Sequence, residues 1–283
     1  MPELPEVETV RLGLNQVTLN QVILGGDVLL ARTIAHPISV GEFLAQLENV
    51  TIISWHRRGK YLLAELTTLN AGDAGWLGVH LRMTGQLLWL NQEEPLQKHT
   101  RVRLFFQDSR ELRFVDLRTF GQMWWVPPDV APESIITGLK RLGPEPFSAD
   151  FSLEYLAGKL RNRQRPIKTA LLDQELVAGV GNIYADEALF LSGVPPDMLC
   201  SALSLEQIER IRTSVIQVLQ ASIEVGGTTF SNFLNVQGVN GNYSGVAWVY
   251  GRTGEPCRVC GTSIQRLKLA GRSSHFCAKC QHG

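Results

Sequence analysis

The first ten residues, MPELPEVETV, place carboxylates directly behind a proline at the amino terminus. Removal of the initiator Met would leave Pro2 with a free secondary amine, and an α-amino group titrates near pH ~8, far below a lysine. A useful fraction of that amine is then an unprotonated nucleophile at neutral pH. The same residues also suit a helix start, because proline is tolerated at the first helical position and Glu3, Glu6 and Glu8 favour the positive end of the helix dipole. The stretch alone leaves both interpretations open.

Four of the five cysteines form the pattern C-x2-C-x16-C-x2-C at Cys257, Cys260, Cys277 and Cys280. This spacing is typical of a structural zinc site, in which two tight knuckles supply four thiolates. Such a site has no open coordination position, so one Zn²⁺ would stabilise the fold rather than catalyse. Two disulfides are the alternative, which the lack of a cysteine framework elsewhere disfavours. Cys200 stands apart, and we expect a small buried side chain there.

The basic residues are clustered, although the 283-residue chain has 27 basic and 27 acidic side chains and a formal charge of zero. Residues 251–283 hold six basic residues and one acidic residue, the segment RNRQRPIK (161–168) holds four basic residues, and SWHRRGKY (54–61) holds three. Clusters of this kind suit a run of phosphates. No run of about 18 apolar residues and no secretory signal occurs, so we expect a cytoplasmic protein without a membrane span.

The periodicity of apolar residues changes along the chain. After the opening helix, β-branched and aromatic runs with short spacing predict a β-sandwich, including a hairpin around Arg-Arg-Gly-Lys in VTIISWHRRGKYLLAEL (50–66). Proline-rich stretches at 126–134 and 142–150 then predict a linker. Beyond them the three- and four-residue spacing predicts helices, two of them joined by AGVGN (178–182), whose glycines and Asn182 leave backbone N–H groups free for an anion. The segment 236–245 is rich in Gly and Asn, and we expect a connector or a lid there.

Six motifs occur in one order: MPELPEVETV, RRGKY, HLRMTG, DLRTFG, LLDQELVAGVGNIYADEALF and the four-cysteine tail. Together they resemble the formamidopyrimidine-DNA glycosylases, which remove oxidised purines such as 8-oxoguanine and cleave the strand by β,δ-elimination. The resemblance implies an α+β multidomain fold. Its predicted parts are a catalytic β-sandwich domain with an opening helix (1–134), a helix–two-turn–helix DNA-binding domain with a lesion-capping loop near 236–245 (135–250), and a β-hairpin zinc finger (251–283).

The resemblance also implies roles for individual residues. Pro2 would form a Schiff base with the sugar, Glu3 would act as general acid/base, Lys60 would contact phosphate and donate a proton in β-elimination, and Arg272 would grip the phosphates beside the lesion. Glu6 and Tyr243 would border the lesion pocket. Met83, Arg118 and Phe120 match the residues that fill the gap left by the everted base, and Arg118 would also bind the orphaned cytosine. The predicted contacts to DNA comprise His99, Arg118, Arg163, Lys168 and Asn182.

Several alternatives remain at this point. Lys60 could be a solvated turn lysine, Met83 and Phe120 could belong to the sandwich core, and His99 and Arg163 could be ordinary surface residues. An endonuclease VIII-like enzyme for oxidised pyrimidines would share the chemistry, but its members begin Met-Pro-Glu-Gly-Pro, whereas this chain has Leu4. A non-catalytic, zinc-stabilised DNA-binding protein is the other alternative. In each case the partner is double-stranded DNA, and we expect a monomer associated with a prokaryotic nucleoid. The acidic insert NQEEPLQK (91–98) has no role that the sequence indicates.

Overall fold

The computed structural model of the protein describes residues 1–228, 236–238 and 245–282. The chain divides into two compact units, Met1–Lys140 with Gly226–Asn242 and Arg141–Val225 with Tyr243–Gly283. The three domain ranges expected from the sequence stay a prediction. Tyr243 and most of the predicted lid lie outside the described residues. Among the described residues, no helix is both long enough and apolar enough to span a membrane.

The described residues of the first unit form two sheets and four α-helices. Its strands are β1 (Val22–Ile23), β2 (Gly25–Val28), β3 (Ile34–His36), β4 (Val50–Arg58), β5 (Tyr61–Thr68), β6 (Asp73–His80), β7 (Gly85–Asn91), β8 (Thr100–Phe105), β9 (Arg110–Asp116) and β10 (Gln122–Val126). Its helices are α1 (Leu4–Val17), α2 (Val40–Leu47), α3 (Pro132–Ile135) and α4 (Thr137–Lys140). The last two occupy part of the predicted linker, which is therefore shorter than the proline pattern indicated.

The strands form a six-stranded sheet in the order β1-β4-β5-β6-β10-β3 and a four-stranded sheet in the order β2-β8-β9-β7. One apolar core joins the two sheets, with residues such as Ile52 and Leu77 from the larger and Leu104 and Phe114 from the smaller. The burial along β8 alternates residue by residue, which is the pattern of a strand with one face in the core. The predicted β-sandwich is confirmed.

Helix α1 begins at Leu4, so Pro2 precedes the helix instead of opening it. The reason is a capping box, in which the Glu3 N–H donates to Glu6 Oε2 over 2.8 Å and Glu3 stands at the N-cap. Pro5, not Pro2, occupies the first turn of the helix. The nitrogen of Pro2 consequently lies outside the hydrogen-bond ladder of α1.

The predicted hairpin is present, with Arg58 opposite Tyr61 and a two-residue turn of Gly59 and Lys60. Gly59 has a φ of 56°, a left-handed conformation that suits glycine. The turn therefore carries Lys60 at the end of the longest pair of strands in the larger sheet.

The 91–98 insert is held by Arg113, a fully buried side chain of β9. Its guanidinium donates to the carbonyls of Glu94 (3.1 Å) and Pro95 (3.0 Å) and forms an ion pair with buried Glu111. The insert thus supplies two further acceptors to a buried guanidinium, which is a structural role.

The second unit is mainly helical, with α5 (Leu153–Leu160), α6 (Ile167–Leu171), α7 (Asn182–Ser192) and α8 (Leu205–Glu224). Helix α7 is buried along almost its whole length, including the acidic pair Asp186 and Glu187. An antiparallel hairpin, β11 (Gln265–Leu269) and β12 (Arg272–Phe276), lies between the two cysteine pairs. The predicted helices and the predicted β-hairpin zinc finger are both confirmed.

Candidate active site and nucleic-acid interface

The amino terminus lies in the first unit among charged groups. Pro2 is buried, and Glu3 is 2% exposed at the start of α1. With Met1 in place, burial lowers the pKa of the terminal amine; Glu3 and Glu6 act to raise it, and Lys60 and Arg118 act to lower it. The structure therefore gathers the predicted acid/base, the predicted turn lysine and the predicted cytosine-binding arginine around one amine.

Glu6 is buried and uses both carboxylate oxygens on backbone N–H groups. Its Oε2 accepts from Glu3 N, and its Oε1 accepts from Thr228 N at 3.0 Å. The conformation of Gly227 (φ +81°) brings the chain so close that an added Cβ would lie 3.1 Å from the same carboxylate. Glu6 thus holds the chain at Gly227 and Thr228 against the start of α1. Its predicted contact with a lesion stays a prediction.

His80 is a member of this group that the sequence analysis missed. It ends β6, and its pKa is lowered to about 3 by burial, then by the charges of Arg82 and Lys60. The imidazole is neutral at pH 7, and its Nδ1 accepts from the Arg82 N–H over 2.9 Å. The proton must then sit on Nε2, which leaves a neutral donor next to two cations. A single histidine at the end of an apolar strand gives no local sequence signal for such a site.

Met83 lies in the turn between β6 and β7, and Phe120 lies in the loop between β9 and β10, so neither belongs to the sandwich core. Phe120 is 52% exposed, and the Arg118 guanidinium lies 5.0 Å from the centre of its ring. Both loops border a cavity of about 520 Å³, which is lined by Met1, Arg32, Arg82, Met83, Thr119, Phe120, Gly121 and Gln122. The terminal residue and two of the three predicted intercalating residues, Met83 and Phe120, therefore line the same cavity.

His99 lies at the base of the Phe120 loop, where its carbonyl accepts from Asp116 N. Its Nδ1 is 3.2 Å from the Arg101 guanidinium. His99 is half-buried. Its predicted contact with phosphate stays a prediction.

The Lys168 side chain is only 1% exposed, and its predicted contact with phosphate stays a prediction. Its Nζ lies 2.6 Å from Asp186 Oδ1 and 2.5 Å from the carbonyl oxygen of Ser273. Asp186 also accepts from the His275 N–H at 2.9 Å and from the Ser274 hydroxyl at 3.2 Å. A buried charge needs a partner, and this one attaches α6 and α7 to strand β12.

The other two residues of the second unit that are predicted to bind phosphate, Arg163 and Asn182, differ in their surroundings. Arg163 is half-buried and lies 3.3 Å from Asp173, which Arg165 binds at 2.6 Å. Asn182 is the first residue of α7, after the turn that Gln174 holds through Gly179 N and Val180 O. The Asn182 Oδ1 is buried and has no hydrogen-bond partner among the described residues. These positions suit the start of a helix that receives an anion.

The four cysteines form a metal site. Their sulfur atoms all lie within 4.8 Å of one another, as four thiolates around one Zn²⁺ require. Cys257 and Cys277 are buried, and Cys260 and Cys280 are half-buried. This is one structural zinc site, and it closes the loop that carries β11 and β12. Arg272 is the exposed first residue of β12, directly before Ser273 of the Lys168 network.

Sequence comparisons match the whole chain. Residues 1–123 match the formamidopyrimidine-DNA glycosylase N-terminal domain, residues 142–233 its H2TH domain, and residues 254–283 the zinc finger found in FPG and IleRS. The formamidopyrimidine-DNA glycosylase of Nostoc sp. is 71% identical, over 99% of this chain and 100% of that protein.

Solved structures of a bacterial protein show the same fold. A Lactococcus lactis Fpg variant in complex with DNA containing Fapy-dG matches with a TM-score of 0.90 and 36% identity, over 100% of both chains. The complex of Lactococcus lactis Fpg with DNA containing an abasic site matches with a TM-score of 0.90 and 36% identity, over 99% of this chain and 100% of that one.

Proposed function

This chain belongs to the formamidopyrimidine-DNA glycosylase family, and we propose that it excises oxidised purines from double-stranded DNA and then cleaves the strand at the abasic site. The observation that carries the proposal is the half-buried amino terminus, where the charges of Glu3, Glu6, Lys60 and Arg118 all act on the amine of Met1. An amine held between acids and cations has both a nucleophile and the groups that move protons around it.

The chemistry begins once Met1 has been removed. The lone pair of the Pro2 nitrogen attacks C1′ of the damaged nucleotide, the bond from C1′ to the base breaks, and the base leaves with a proton. Glu3 protonates the ring oxygen as the sugar opens, which yields an iminium between Pro2 and C1′. Because this nitrogen is secondary, the iminium keeps its charge and draws electrons from C2′.

Strand cleavage follows from that electron demand. Loss of a proton from C2′ expels the 3′ phosphate (β-elimination), and loss of a further proton expels the 5′ phosphate (δ-elimination). Lys60, in the turn between β4 and β5, would bind phosphate and deliver a proton, and Arg272 would bind the phosphates that flank the lesion. Each cation stabilises a leaving phosphate dianion.

The base must leave the stack before the amine can reach C1′, which costs a few kcal/mol of unstacking. Met83 and the exposed ring of Phe120 border the cavity beside the terminus and are suited to fill the gap. Arg118, stacked over Phe120, is in position to bind the cytosine that loses its partner. Tyr243 would contact the everted base from the lid, and His99, Arg163 and Asn182 would bind the backbone without sequence preference.

The structural zinc holds the β11–β12 hairpin and with it Arg272. A DNA substrate implies that the protein works at the nucleoid of a prokaryotic cytoplasm.

The test is incision of duplexes that hold 8-oxoguanine or a formamidopyrimidine opposite cytosine, or thymine glycol opposite adenine, with an undamaged guanine–cytosine duplex as the control. Intact mass first establishes that Met1 is absent. Incision of the two purine lesions, with a one-nucleotide gap and phosphate on both ends, supports the proposal. Preference for thymine glycol would replace it with an oxidised-pyrimidine specificity. Binding without incision would leave a non-catalytic DNA-binding protein.

A further inference from the structure

We propose that Thr84 and Asp116 form a clamp that couples the Met83 turn (82–84) to the Arg118 loop (117–120), and that this clamp sets discrimination of the base opposite the lesion. The inference rests on the proposed function, since it assigns the two loops the roles of wedge and cytosine contact. Neither residue touches the amino terminus in the contacts described above. Both are therefore positioning residues.

Asp116 closes the Arg118 loop at both of its ends. It is the last residue of β9, opposite Gly85 of β7, and its side chain is buried. Its Oδ1 accepts from the Arg118 N–H at 3.2 Å, and its Oδ2 accepts from the Gly121 N–H at 2.7 Å. One carboxylate thus fixes the backbone on either side of Phe120.

Thr84 joins the second loop to that carboxylate. Its hydroxyl donates to Asp116 Oδ1 over 2.5 Å and accepts from the Arg118 N–H at 3.0 Å. The single hydroxyl proton is therefore donated to Asp116, and a lone pair of the same oxygen accepts the hydrogen bond from the Arg118 N–H. Thr84 directly follows Met83. Its hydrogen bonds therefore fix Met83, the predicted wedge, relative to the backbone of Arg118, the predicted cytosine contact.

Each of the two loops contains a residue in a left-handed conformation. Arg82 has a φ of 54° and Thr119 a φ of 57°, which is unfavourable for residues other than glycine. Such conformations persist where the surroundings hold them. The Arg82 N–H is bound by His80 Nδ1, and the Thr119 side of the loop is bound through Arg118 and Gly121.

Gly121 shows how tightly the end of the Arg118 loop is packed. An added Cβ there would lie 2.4 Å from Phe114 Cζ and 3.1 Å from Asp116 Oδ2. The loop has no space to shift toward the core, so a release of the clamp lets it move outward. Movement there changes the distance between Arg118 and the opposite strand, whereas Pro2 and Glu3 directly precede α1 and Lys60 lies in the β4–β5 turn.

The experiment compares Thr84→Val, which loses the hydroxyl at nearly constant shape, with Thr84→Ser, which keeps it. Single-turnover excision is measured for 8-oxoguanine opposite cytosine and opposite adenine, together with cleavage of a preformed abasic site. For Thr84→Val we expect the ratio of the excision rate opposite cytosine to the rate opposite adenine to fall by about tenfold. This is the effect expected from the loss of one charge-assisted hydrogen bond. Abasic-site cleavage should stay within about twofold of the wild type, as should the ratio for Thr84→Ser.

An unchanged ratio in Thr84→Val would overturn the proposal, as would an equal loss of ratio in Thr84→Ser. An equal loss of abasic-site cleavage would show a general structural defect and also overturn it. Hydrogen exchange of the free protein gives a readout without DNA: Thr84→Val should speed exchange of the Arg118 amide and leave the β9 amides protected. If the wild type excises no 8-oxoguanine, the proposed function fails, and unchanged exchange in Thr84→Val separately overturns the clamp.

Discussion

Arg57 Nε donates to Glu8 Oε2 over 2.8 Å and thereby ties strand β4 to helix α1. Arg57 also donates to the carbonyl of Gly59 at 3.1 Å, within the turn that presents Lys60. Burial acts to raise the pKa of Glu8, but the hydrogen bonds from Arg11 and Arg57 outweigh it, and the net pKa is lowered. One ion pair therefore connects the helix that begins behind Pro2 with the turn that carries Lys60.

Glu8→Gln should weaken both the fold and the chemistry. A neutral amide loses the charged hydrogen bonds to Arg57 and Arg11, so we expect the free energy of unfolding to fall by about 1–3 kcal/mol at pH 7 and abasic-site cleavage to slow by about tenfold. Because the pKa of Glu8 is lowered in the folded state, its contribution is full above the ordinary value of 4.5 and is lost as the pH falls below it. The difference in the free energy of unfolding between Glu8→Gln and the wild type, measured with urea, should therefore shrink as the pH falls below 4.5.

The matched control is Glu48→Gln, a substitution of an exposed carboxylate in the same unit. It should leave unfolding and cleavage unchanged. Equal behaviour of the two variants would contradict the role assigned to Glu8.

Lys168 provides a direct contrast between a buried ion pair and a phosphate contact. Lys168→Met alone should lower the free energy of unfolding by about 3–5 kcal/mol, because Asp186 is left buried without its cation. The double variant Lys168→Met with Asp186→Asn, which removes the unpaired charge and keeps an acceptor for the His275 N–H and the Ser274 hydroxyl, should recover part of that loss. The dependence of DNA affinity on salt concentration should keep its slope in the double variant.

A loss of one phosphate contact would instead reduce that slope by about 0.9. Such a reduction of the slope in the Lys168 double variant would support the phosphate contact that the sequence predicts for Lys168. Arg163→Gln serves as the comparison, since its guanidinium is partly exposed.

Removal of zinc should release the hairpin that carries Arg272. Because four thiolates close around the ion, chelation removes a contribution to folding rather than a catalytic group. We expect DNA affinity to fall steeply on chelation and to return with added Zn²⁺, and we expect Cys277→Ser to bind less than one equivalent of zinc. Cys200→Ser, a buried cysteine outside the cluster, should keep one equivalent by elemental analysis. Full DNA binding by the chelated protein would contradict this assignment.

His80 predicts a loss of stability in mild acid. Its pKa is about 3 in the folded protein against an ordinary value of 6.5, so between these values the unfolded chain binds a proton that the folded chain does not. Folding stability therefore falls with pH below 6.5, by up to about 1.4 kcal/mol per pH unit from this residue. His80→Asn keeps an acceptor for the Arg82 N–H and should remove this part of the slope in urea unfolding between pH 6.5 and 5.5.

His99→Asn is the control, because it removes a different imidazole. Any effect of acid on the zinc thiolates is the same in both variants and cancels when their slopes are compared. The same slope in wild type and His80→Asn would show that the buried imidazole does not set it.

The parts of the molecule that depend on local spacing could be predicted from the sequence. The hairpin around Gly59, helix α8 and the cysteine cluster each follow from residues close together in the chain. One of the two interpretations of the opening stretch puts Pro2 at the first helical position, whereas α1 begins at Leu4, behind the capping box of Glu3 and Glu6.

The rest depends on partners that are distant in sequence. Lys168 contacts Ser273, 105 residues away, and no periodicity distinguishes an exposed lysine from one that is buried against such a partner. The same holds for Thr84 and Asp116, which are 32 residues apart and meet because β7 pairs with β9. His80 is recognised as unusual because Lys60 and Arg82 are its neighbours in the folded unit.

The most direct test of the account is borohydride trapping on a duplex with one 8-oxoguanine opposite cytosine, followed by peptide mass mapping. The account predicts a reduced covalent adduct on the N-terminal peptide at Pro2, and no adduct from protein that retains Met1. An adduct on Lys60 or another lysine would contradict the role of Pro2. Absence of any adduct from zinc-loaded, Met-trimmed protein that binds the duplex would contradict the covalent mechanism.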